Sequence, residues 1–196
     1  SISPGLLTIT GANAIVDWVV VELRSGIQPS NVLASRPAHL QRDGDVVSSD
    51  GQPTLHFNMP AANYHVAVRH RNHIGVMTAA SMALGGTSVL VDLTLPSTAI
   101  YGTAARSNVN GTMALWPGDA TRNGSIAYTG TGNDRDPILQ GIGGSLPTAV
   151  VSNVYSPLDI NLDGSVRYTG AGNDRDIILQ TIGGSVPTAV RQQQLP

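Results

Sequence analysis

A stretch of this 196-residue chain is written twice. Residues 116–150 match residues 156–190 at a constant offset of 40, with 23 identities over 35 positions. The shared core reads Tyr-Thr-Gly-x-Gly-Asn-Asp-Arg-Asp-x-Ile-Leu-Gln-x-Ile-Gly-Gly-Ser-x-Pro-Thr-Ala-Val. Copies this short cannot each bury an apolar face alone. The repeat therefore predicts two equivalent units packed on each other about a pseudo-twofold axis.

The chain before the repeat has a different grammar. From Leu6 to about Leu95 the apolar residues run with period two or in β-branched blocks: 6–10, 14–23, 31–34, 54–57, 64–69 and 88–93. Turn residues separate them, among them Gly11-Ala12-Asn13, Asp43-Gly44-Asp45 and Gly85-Gly86. Six or seven strands at this spacing predict an antiparallel, immunoglobulin-like β-sandwich with Ile15, Trp18 or its neighbours, Val20, Leu55, Phe57, Val66 and Val68 towards the core. The opening strand, Ser3 to Thr10, carries no charge and could complete a neighbour's sheet as readily as its own. The expected organisation is mainly β: a sandwich over 1–96, a linker over 97–114 and a small duplicated loop–helix domain over 115–196.

Charge singles out the repeat. All 11 basic residues are arginine, and 12 of the 13 acids are aspartate. Seven aspartates lie between Asp119 and Asp176, against four arginines. The second copy opens Asp159-Ile160-Asn161-Leu162-Asp163-Gly164-Ser165, the first half of an EF-hand calcium loop. Ca²⁺ takes six to eight oxygens, and side chains at loop positions 1, 3 and 5 converge on one point when a glycine at position 6 turns the chain. The expected ligands are Asp159, Asn161, Asp163 and the Ser165 carbonyl. In the first copy they are Asp119, Thr121, Asn123 and the Ser125 carbonyl, with Gly124 at the turn. Position 12, where an EF-hand has its closing acid, is Gly170. Asp134 and Asp174 are the better closing ligands, because Asp136 and Asp176 are placed to cap the helices that follow; the caps could do both. Arg135 and Arg175, next to the closing acids, either clamp them or bridge the two copies. With two carboxylates among its first three ligands, the 159–174 loop is expected to bind more tightly than the 119–134 loop.

Other chemistries find little support. There is no cysteine, hence no disulfide, thiolate zinc site or cysteine nucleophile. A net charge of −2 supplies no basic field for nucleic acid. No apolar run reaches the roughly 18 residues of a membrane span. His70-Arg71-Asn72-His73 suggests zinc at first sight, but alternation sends His65 and His70 to opposite strand faces. No nucleophile elbow, phosphate loop or paired catalytic carboxylate stands out, so the chain is expected not to be an enzyme.

The duplicated loop–helix units resemble type I dockerin repeats, calcium modules with a half EF-hand and no incoming helix. Asp159, Asn161, Asp163 and Gly164 match that motif; the closing acid does not match its spacing. A wider resemblance rests on Ala14-Ile15-Val16-Asp17-Trp18-Val19, Leu40-Gln41-Arg42-Asp43-Gly44-Asp45, Val68-Arg69-His70-Arg71-Asn72-His73 and Asn173-Asp174-Arg175-Asp176. These runs are similar to the C-terminal module of large secreted surface proteins of Bacteroidota-type bacteria. The resemblance implies an extracellular or cell-surface location beside adhesion-like domains. The expected function is a calcium-binding structural module, self-assembling as a homo-oligomer, polymer or fibre subunit; the alternative is an adhesion module docking a surface protein or glycan. Low charge and the absence of lysine favour self-association.

Overall fold

The computed structural model describes residues 2 and 4–196. The chain is mainly β, with antiparallel sheets. Its contacts divide it into two units, residues 1–70, 76–114 and 194–196 in one and residues 71–75 and 115–193 in the other. The first unit thus includes the stretch 97–114 that the sequence reads as a linker, and the second takes five residues from the middle of the sandwich segment. No helix among the described residues is long and apolar enough to cross a membrane.

The first unit begins with a short 3-10 helix over Pro4–Thr8, not the strand that the sequence predicts there. Pro4 cannot donate to a ladder, and the Thr8 hydroxyl closes the turn on the Gly5 carbonyl at 2.8 Å. Ser3, where the expected strand starts, lies outside the described residues. One antiparallel sheet follows: β1 (Ile15–Ser25), β2 (Val32–Gln41), β3 (Val46–Val47), β4 (Ala62–Arg69), β5 (Val76–Met77) and β6 (Met82–Leu84). Its order is β3-β2-β1-β4-β5, with β6 also pairing β4.

The buried face of β1 is the odd one. Val19, Val21 and Leu23 pack with Ala38, Tyr64 and Val66, whereas Val20 is 39 % exposed. Val20, expected inward, thus faces out, and Val19, a neighbour of Trp18, takes the core position. The even series ends in Glu22 and Arg24, which are buried only because they pair at 2.7 Å and because Arg24 also reaches the Pro29 and Pro196 carbonyls.

Leu55, Phe57 and Val91 do pack on this core, but residues 54–57 and 88–93 form no strand. At 93–98 side-chain donors replace a strand partner. The Arg106 guanidinium, itself buried, takes the carbonyls of Leu93, Leu95 and Thr98 at 2.6, 3.0 and 2.6 Å, so those groups need no neighbouring strand. Arg106 leads into the hairpin β7 (Ser107–Val109) and β8 (Thr112–Ala114). Its two-residue turn is Asn110-Gly111, both with positive φ, 53° and 92°, as a type I′ turn requires.

The second unit contains β9 (Ser125–Ala127), α1 (Arg135–Gly141) and β10 (Val150–Ser152) from the first copy. The second copy supplies the equivalent β11 (Ser165–Arg167), α2 (Asp174–Thr181) and β12 (Val190–Gln192). The last strand of each copy pairs with the other copy. β10 joins β11 with Val151 opposite Val166, and β12 joins β9 with Arg191 opposite Ile126. The core is equally paired: Ala120 with Ile160, Ile126 with Val166, Ile138 with Ile178 and Ile142 with Ile182 occupy corresponding places in one buried cluster. Ile74, from the inserted segment 71–75, completes it at 1 % exposure. Neither copy has a core without the other.

Candidate functional site

The two aspartate loops share one backbone path. Loop position 4 lies in the left-handed region (Arg122 φ 60°, Leu162 φ 62°), as does the glycine at position 6 (Gly124 φ 78°, Gly164 φ 80°). This wraps the chain around its first acid. Asp119 accepts N–H donors from Asn123 at 2.9 Å and Gly124 at 3.0 Å, one on each carboxylate oxygen. Asp159 does the same with Asp163 at 3.1 Å and Gly164 at 3.0 Å.

The closing acids are fully buried. Asp134 accepts from the Thr121 N–H at 3.0 Å, the Thr121 hydroxyl at 2.9 Å and the Ala127 N–H at 2.9 Å. Asp174 accepts from the N–H groups of Ile160, Asn161 and Arg167 at 2.7, 3.2 and 2.8 Å. Each therefore ties the start of its loop to the strand that follows. Burial raises the carboxyl pKa of Asp119, Asp134, Asp159 and Asp174 against the opposing pull of these N–H bonds. Asp134 is pushed up to about 6, and the nearby Asp119 charge adds to the effect. Asp159 likewise raises Asp174.

The remaining expected ligands are engaged elsewhere. Asp163 accepts from the Ser165 N–H at 2.8 Å and pairs with Arg167 at 2.6 Å. Asn161 accepts from the Asp163 N–H at 2.9 Å and donates to the Gly172 carbonyl at 2.7 Å. Asn123 accepts from the Ser125 N–H at 2.8 Å. Ser125 and Ser165 sit in β9 and β11, opposite Gln192 and Ser152.

Asp136 and Asp176 are not the helix caps. α2 is capped by Asn173, whose side chain accepts from the Asp176 N–H at 2.9 Å, and Asn133 does the same for Asp136. Each aspartate answers by accepting from the asparagine amide at 2.9 Å, a reciprocal capping pair that an Asn-x-x-Asp spacing allows. Arg135 and Arg175 neither clamp the closing acids nor cross between copies as ion pairs. Each forks onto the aspartate that follows it and lies over its own Tyr128 or Tyr168, at 5.2 and 5.0 Å. Hydrogen bonds from Asn133 and Asn173, then the arginines, hold the Asp136 and Asp176 carboxyls below the usual range.

The structure thus brings together two acid pairs, Asp119 with Asp134 and Asp159 with Asp174. Among the described residues, no three acidic or imidazole side chains converge on a common point as a metal cluster would need. The groups that meet each pair are backbone N–H donors, joined in the first loop by the Thr121 hydroxyl. The two loops differ in what balances their charge. No basic side chain forms a salt bridge with Asp119 or Asp134 among the described residues. In the second, Arg71 stands 3.8 Å from Asp159 and Arg167 holds Asp163.

The histidines are engaged separately. His65 meets the Thr78 carbonyl at 3.0 Å, His70 lies 3.1 Å from Asp17, and His73 meets the Asn72 side chain at 2.8 Å.

Sequence reasoning misses Arg71 and Asn72. The only signal for them is that the string 70–73 breaks the alternation of β4 with polar residues. No family model, curated protein or solved structure matches the chain.

Proposed function

We propose that the chain is a non-enzymatic, extracellular structural module, a β-sandwich-like unit joined to a dockerin-like repeat pair that binds Ca²⁺, and that it self-assembles at a cell surface or in a fibre. The observation that carries the calcium reading is the first loop. Asp119 and Asp134 are buried close enough for one charge to act on the other, and no basic side chain among the described residues pairs with either. Removing carboxylates from water is costly unless charge compensates them, and a bound divalent cation supplies that charge. Asp119, Thr121, Asn123, the Ser125 carbonyl and Asp134 would hold it. The sandwich-like reading is supported by the irregular segments that carry Leu55, Phe57, Met59 and Val91 onto the sheet's buried face as a second layer.

Self-assembly is supported by apolar side chains exposed in equivalent pairs. Leu146 and Val186 are 59 % and 53 % exposed, and Val150 and Val190 are 48 % and 50 %. Such pairing suits a second copy of the same chain, because a twofold contact presents the same patch from both sides. Light scattering of the whole chain in calcium and in chelator tests this. The expected result is a larger species in calcium that the double variant Leu146→Ser, Val186→Ser disperses. A single small species in both conditions would overturn the assembly reading.

A further inference from the structure

We infer that Arg71 is a positioning residue for the second loop, its guanidinium holding the Asp159 carboxylate in the arrangement that the first loop leaves to a bound cation. The comparison with the first loop rests on the calcium reading above; the part played by Arg71 stands on its own contacts.

The side chain is fixed on three sides. Its guanidinium lies 3.8 Å from Asp159 Oδ2, donates to the Ser156 carbonyl, and stacks over the Tyr155 ring at 4.4 Å. The side chains of Arg71 and Asp159 are 12 % and 2 % exposed, so water screens the pair poorly. Asn72 fixes the backbone beneath it. The Asn72 amide donates to the Asp159 carbonyl at 2.6 Å, while the Asn72 carbonyl accepts from Gly118 and Asp119 at 2.9 and 3.0 Å. Ile74 anchors the same segment in the repeat core. One pentapeptide therefore touches the first residue of both loops, but it offers a carbonyl to one and a guanidinium to the other. This breaks the pseudo-symmetry at the first residue of the loops.

The charge consequence reverses the order read from ligand count. In the second loop, Asp159, Asp163 and Asp174 face Arg71 and Arg167, leaving one net negative charge. Asp119 and Asp134 keep two. The second loop should hold its form without metal, and the first should be the more demanding of a cation.

Hydrogen exchange on the whole chain in chelator tests this. The reporters are the amides of Asp163 and Gly164, which donate to Asp159. The native chain should keep both protected. Arg71→Met, which retains the stem and loses the charge, should exchange about tenfold or more faster there, since removing one partner strands a buried charge. Arg71→Lys should restore most of the protection, and the amides of Val19 and Val21 in the first unit serve as the folding control. Native amides that exchange freely in chelator would overturn the inference. So would Arg71→Met matching the native chain, or Arg71→Lys failing as completely as Arg71→Met. Adding calcium to Arg71→Met examines the other reading separately. Restored protection supports calcium at these loops, and no response counts against calcium alone.

Discussion

Aspartate occupies three environments in the repeat, and the chemistry follows the environment. Asp134 and Asp174 are fully buried and bind backbone N–H groups; Asp119 and Asp159 begin the loops; Asp136 and Asp176 are about half exposed and pair with arginine. The motif shows that these residues belong together, but not this division. The asparagine before each closing acid takes the capping role, and a chain turning through two glycines brings it there. His39 is a separate case. It is fully buried beside Trp18, with ring centroids 4.0 Å apart, and neither ring nitrogen has a hydrogen-bond partner in the described structure. Burial lowers its pKa from the ordinary value near 6.5; the Ser48 backbone lies close enough to pull the other way but not in hydrogen-bond geometry. A lowered imidazole stays neutral in the fold while the unfolded chain takes up the proton. Its contribution is therefore complete above pH 6.5 and is lost as pH falls below that value, with a slope of up to about 1.4 kcal/mol per pH unit for one proton. Denaturant unfolding at several pH values should show this slope, and His39→Phe should remove one proton's share of it.

At the scale of elements, β1 and β4 are legible from their β-branched and alternating runs, whereas of β2 only its start is, since the sequence marks 31–34 and the strand continues through Pro37 to Gln41. The phase of β1 is not legible, since both of its faces carry apolar residues. The informative residues are Glu22 and Arg24, which mark the even face as the one that needs an ion pair. Residues 54–57 and 88–93 have strand composition without strand structure; just beyond the second segment, Arg106 takes the carbonyls that a neighbouring strand would otherwise satisfy. The helices depend on their caps. Asn173→Ala should destabilise the second unit by about 1 kcal/mol, and Asn133→Ala by a similar amount, since each removes one side-chain bond to a first-turn N–H. Thermal unfolding of the two variants checks this. A large loss from one with none from the other would mean that the copies do not share a capping scheme.

Taken whole, the molecule has two compact units whose boundaries do not follow the sequence. The duplication is legible and with it the mutual packing, since identical apolar positions must find each other. The insertion of residues 71–75 into the repeat core is not, because it depends on a contact between residues more than eighty positions apart, as in the Asn72–Asp159 bond. The resulting unit buries four carboxylates in two pairs, one pair with an arginine beside it and one without. Calcium binding by the unpartnered pair is the claim on which the functional account turns. Isothermal titration of calcium into the chelator-treated whole chain tests it most directly. The account predicts saturable binding whose tighter event is lost in Asp119→Asn and in Asp134→Asn and survives in Asp163→Ala. No binding, or a tighter event that survives both first-loop substitutions, would contradict it.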